Sequence, residues 1–73
     1  MRRSAMVASD PWTLVITLID DPDSLGAIAE FRALNSEGGP ADSWDLYFAS
    51  LEEALAALER EYGLGPEDWV DLE

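Results

Sequence analysis

The chain has 73 residues, with 16 Asp and Glu against four Arg, no His and no Cys, for a formal net charge of −12. It also contains no Lys, so imidazole bases, thiolate nucleophiles, Schiff-base amines and the usual zinc ligands are all missing. A domain this small has little room for a deep, dry pocket in which to tune carboxylates, so no enzyme and no cofactor is expected.

With 48% hydrophobic residues the chain can still build a folded core, which excludes an acid-rich disordered polymer. Residues 1–9 read as a flexible N-terminal arm carrying Arg2 and Arg3, and 10–73 as a single small α+β domain. No apolar stretch has signal-peptide or membrane-spanning length, and no Cys framework points to an oxidising compartment. The protein is expected to be soluble and cytoplasmic. Its anionic surface disfavours direct nucleic-acid and anionic-membrane contacts.

Trp12, Leu14, Ile16 and Leu18 alternate with Thr13, Val15, Thr17 and Ile19, a β-strand period built largely of β-branched residues. Because Val15 and Ile19 make the second face apolar too, this strand is predicted to be central or covered on both sides. Asp20, Asp21, Pro22, Asp23 and Ser24 form a turn cluster. Set against a calcium loop starting at Asp21, Asp23 and Gly26 fit, but Leu25 and Arg32 occupy positions five and twelve. No metal site follows.

Residues 22–35 read either as a helix or as a strand. A helix would smear Leu25, Ile28, Phe31 and Leu34 over half its circumference, whereas a strand gathers Ala27, Ala29, Phe31 and Ala33 on one face. The strand is preferred. The run Ile16–Glu30, a strand entering Asp-Asp-Pro-Asp-Ser-Leu-Gly-Ala-Ile-Ala, also resembles the first strand–helix junction of ACT-type regulatory domains. That resemblance implies a four-stranded sheet with two helices and amino-acid binding at a dimer interface, although Asp23 stands where those domains usually have Gly.

Asn35–Ser43 reads as a loop, and Trp44, Leu46 and Phe48 as one face of a short third strand. Ser50 with Glu53 makes a capping box for a helix whose Leu51, Ala54, Leu55, Leu58 and Tyr62 form a core stripe. Gly63 supplies its left-handed stop, and Leu64 the accompanying apolar contact. The predicted fold is a three-stranded antiparallel sheet with one helix across it (β-β-β-α) and a short acidic C-terminal tail. The alternative is β-α-β-α.

From Ser50 onward eight acids face Arg60 alone. On the helix, Glu53, Ala56, Ala57 and Arg60 lie opposite the core stripe, flanked by Glu52, Glu59 and Glu61. No Glu is matched by a cation at i,i+4. Trp12 and Trp44 fall on predicted core faces, while Trp69 is either a lid or an exposed anchor.

The candidate partner-binding residues are therefore Glu52, Glu53, Ala56 and Glu59, the loop acids Asp20, Asp21 and Asp23, and Glu67, Asp68 and Trp69 of the tail. Such a surface suits a basic protein, most sharply a nucleic-acid-binding enzyme or complex whose groove it would block. Small, acidic, Cys-free inhibitors such as anti-CRISPR proteins, immunity proteins and antitoxins have a similar profile. Two alternatives remain: a homodimeric accessory module whose acidity serves solubility, and the ACT-like regulatory domain.

Overall fold

A computed structural model of the chain describes residues 2–9, 11–20 and 26–72. Five strands form one antiparallel sheet: β1 (Arg2–Ser9), β2 (Trp12–Asp20), β3 (Ala27–Leu34), β4 (Pro40–Phe48) and β5 (Val70–Asp71). Their spatial order is β4-β3-β2-β1-β5. The first four make a meander of hairpins. The helix α1 (Leu51–Tyr62) then crosses one face and delivers β5 to the opposite edge. A one-turn 3-10 helix, Pro66–Asp68, precedes β5.

This overturns the three-stranded β-β-β-α arrangement, and two segments account for the difference. Residues 2–9 are not a loose arm: they pair along their whole length with β2, from Arg2↔Ile19 to Ser9↔Trp12. The acidic tail likewise becomes an edge strand, with Arg3↔Asp71 and Ser4↔Val70, and the Leu72 N–H donates to the Arg2 carbonyl at 3.0 Å. Neither segment has the β-branched density that marks β2, because both are ordered by non-local pairing. Residues 40–43, expected in a loop, extend β4. Pro40 is tolerated there as the first residue of an edge strand, where its missing N–H leaves no gap in the ladder.

β3 confirms the strand reading for 27–34 and corrects the ACT-type expectation, since Ala27–Glu30 is strand where that resemblance implies a helix. Residue 26 must be glycine for a different reason. A Cβ there would overlap the Phe48 carbonyl oxygen where β4 leaves the sheet.

Strand alternation sorts the side chains onto two faces. The inner face carries Ala5 of β1, Ile16 and Leu18 of β2, and Ala27, Ala29 and Phe31 of β3, all buried. Ala54 and Leu58 of α1 and Leu64 complete the core. The small side chains at Ala27, Ala29 and Ala54 allow the helix to sit close to the sheet.

The Ser50 hydroxyl accepts the Glu53 N–H at 3.1 Å. Gly63, at φ 72°, closes the helix with its N–H on the Glu59 carbonyl at 2.8 Å. Burial on the inner face fades along β3 from Ala27, Ala29 and Phe31 to the half-buried Ala33, so the helix covers only one end of the face. Trp44 therefore stays partly exposed while stacking on Phe31 (centroids 5.3 Å apart, planes at 3°), and Trp12 at the sheet's far end is exposed. Both were expected in the core. They are on the core face but beyond the reach of the helix.

Candidate functional site

The exposed flank of α1 is built by its own periodicity. Glu52, Ala56 and Glu59, at i, i+4 and i+7, share a stripe facing the β1–β5 edge. There the chain folds back through Leu64, Pro66 and Trp69. A groove of about 330 Å³ results, lined by Arg3, Leu55, Ala56, Glu59, Leu64, Pro66 and Trp69. Its walls are mainly apolar, and Ala56 keeps it open because a larger side chain would fill it.

Trp69 is half-buried and packs against the core, so it lines the groove instead of projecting as a free anchor. Arg3 is its basic member. Its Nε is shielded from solvent and lies 3.4 Å from Asp71 Oδ1 without a hydrogen bond. The Arg3 charge is thus committed to the β1–β5 edge.

Three candidates from the sequence, Ala56, Glu59 and Trp69, meet in this one groove. Glu52 and Glu53 are exposed on the first helical turn, and no described residue forms an ion pair with either. Glu67 and Asp68 are exposed on the 3-10 turn. The Asp68 carboxylate accepts the Gly65 N–H at 2.7 Å, which makes it partly a cap for that turn. Asp20 ends β2 on the inner face, half-buried, and is not among the groove residues. Asp21 and Asp23 lie outside the described residues.

Sequence reasoning missed Arg3, Leu55, Leu64 and Pro66 as groove residues. Sequence signals place Arg3 in an arm, Leu55 on the core stripe and Leu64 against the helix end, and say nothing of Pro66. Nothing local in the sequence could have placed Arg3 beside Trp69, since the β1–β5 pairing that does so joins the two ends of the chain.

A second groove, of about 320 Å³, runs along the opposite flank of α1 toward β4 and is lined by Leu46, Phe48, Ala57, Arg60, Glu61 and Tyr62 among others. Arg60 belongs to this side, which leaves the Glu52–Glu59 stripe without a helical cation. Among the described residues, no three Asp or Glu side chains converge to hold a metal ion. Among the described residues, no helix is long and apolar enough to cross a membrane.

No protein family, curated protein or solved structure matches this chain. Its chemistry must be judged from its own surfaces.

Proposed function

We propose that the chain is a small, non-enzymatic cytoplasmic binding protein whose acidic helix flank docks a basic surface of another protein. The observation that carries this reading is the convergence of Ala56, Glu59 and Trp69 on one groove, with Glu52 on the same helical stripe and no helical cation on that stripe. An apolar cleft rimmed by unpaired carboxylates can take an aliphatic or aromatic side chain at its centre and Lys or Arg around it. In its sharpest form the partner is a nucleic-acid-handling enzyme, and the carboxylates stand where phosphates would lie. That is the mode of an anti-CRISPR-like, immunity-protein-like or antitoxin-like inhibitor.

The test is capture from a host lysate on the immobilised chain, run beside a Glu52→Lys/Glu53→Lys/Glu59→Lys variant that circular dichroism shows to be folded. The expected outcome is a basic protein released at moderate salt and absent from the variant column, because exposed charges are screened within about 8 Å at physiological ionic strength. A partner retained equally by both columns would move the interface off this flank.

A further inference from the structure

The outer face of the sheet offers a different surface. No described outer-face side chain is buried, and α1 lies entirely on the other side. Register places Ile19, Ile28 and Tyr47 in one row across β2, β3 and β4, with Arg2 of β1 at its end. Thr17, Glu30 and Asp45 form the next row with Ser4 and Val70, and Met6, Val15, Arg32 and Ser43 the one after. Met6 (67% exposed), Tyr47 (77%), Val70 (64%) and Leu72 (50%) all belong to this side. A water-facing sheet face would carry polar side chains at such positions.

The charges are sorted as well. The outer face carries Arg2 and Arg32 against Glu30 and Asp45, so it is neutral. The remaining described residues carry ten acids against Arg3 and Arg60, a net of −8. In a chain of net charge −12, the outer face is thus a neutral surface that a like-charged molecule can approach. It is also self-complementary. A depression of about 240 Å³ at its centre is lined by Val15, Thr17, Glu30, Arg32, Ser43 and Asp45, with both signs side by side.

We propose that a second copy of this chain covers the outer face, the two sheets packing face to face about a two-fold axis through that depression. Arg32 of each copy then faces the Glu30 and Asp45 carboxylates of the other. Met6, Val15, Ile19, Ile28 and Tyr47 supply the apolar contact. Strands about 4.8 Å apart and about 3.3 Å per residue give each face roughly 600 Å², so the pair buries roughly 1,200 Å², the lower end of stable specific interfaces. Sheets packed in this way lie about 10 Å apart, leaving both acidic helix flanks pointing outward. The dimer does not depend on what those flanks bind.

Sedimentation equilibrium of the full chain should give twice the 8.0 kDa chain mass. Met6→Glu/Tyr47→Glu, at two exposed positions, should halve it with the circular dichroism spectrum unchanged. A charge swap then separates patch recognition from net charge. Arg32→Glu should dissociate the dimer. So should Glu30→Arg/Asp45→Arg, even though its two reversals lower the net charge from −12 to −8 and so reduce overall repulsion. Mixing the two variants should restore a dimer containing one of each. A wild-type mass of 8.0 kDa at millimolar concentration overturns the proposal, and so does a dimer that survives Met6→Glu/Tyr47→Glu. A mixture that stays monomeric overturns the Arg32 pairing and with it the proposed two-fold arrangement.

Discussion

The two faces of this sheet are made by the same strands, with side chains alternating between them, yet they meet different surroundings. On the inner side Ile16, Ala29 and Phe31 are buried to within 2%. One residue along, Thr17, Ile28 and Arg32 remain half-buried or exposed. Alternation assigns a residue to a face but does not say what covers that face. One amphipathic helix supplies one cover, and five strands expose two surfaces. The apolar Val15 and Ile19, which suggested a strand covered on both sides, are correct about β2 being central. Among the described residues, nothing covers their side.

The largest expected effect tests this contrast directly. Phe31→Ala removes a side chain that is 2% exposed and that contacts Trp44 and Tyr62 through its ring. It should cost about 3–5 kcal/mol, enough to leave a domain of this size largely unfolded in water. Phe31→Leu should give a smaller, measurable loss. Tyr47→Ala, on the outer face, should cost under about 0.5 kcal/mol in dilute protein. Urea titrations of the three variants check the difference. If Tyr47→Ala proved as damaging as Phe31→Ala at all concentrations, the outer face would belong to the core of the single chain. A cost that grows with protein concentration would point to a second copy.

Gly26 sets a second contrast, between side-chain packing and backbone approach. Gly26→Ala adds only a methyl group, but that methyl meets the Phe48 carbonyl, which cannot rotate away. The expected cost is about 1–3 kcal/mol, the range for forcing extra volume into a packed site. An unchanged urea midpoint would mean that the β4–α1 junction shifts freely and that helix placement does not depend on this contact.

The legible parts of the fold were those whose signals are local. Ser50, Gly63 and the Leu51–Tyr62 stripe specified α1 because capping and periodicity act within a few residues. The alternation from Trp12 to Ile19 specified β2 in the same way. The strand reading of β3 held because Ala27, Ala29 and Phe31 make a coherent face only at period two. β1 and β5 were illegible for the opposite reason. Arg2–Ser9 is rich in Ala, Ser and Arg, Val70–Asp71 is two residues long, and each becomes a strand only when β2 or β1 is present to pair with it. The candidate site inherits that split. Glu52, Ala56 and Glu59 could be placed on one helical stripe from spacing alone, while their neighbours Arg3 and Trp69 are brought there by the joining of the chain ends.

The smallest expected effect falls on that joining. Asp71 is 72% exposed at the side chain, and its carboxylate stands 3.4 Å from Arg3 Nε, so solvent screens most of the attraction. Asp71→Ala should cost about 0.2–1 kcal/mol, as exposed pairs do, and the loss should shrink as salt rises. Arg3→Ala should cost more, because the aliphatic stem of Arg3 also lines the groove beside Trp69. Urea titrations at low and high salt distinguish the two contributions: the charge part disappears in salt and the packing part does not. If Asp71→Ala cost more than about 2 kcal/mol, the β1–β5 edge would be integral to the core, and the groove on the acidic flank would be as rigid as the buried face beneath the helix. A cost near the low end, with Trp69 fluorescence unchanged, would instead make β5 a light clasp, with the groove held in place by the packing of Leu64 and Trp69 on the core.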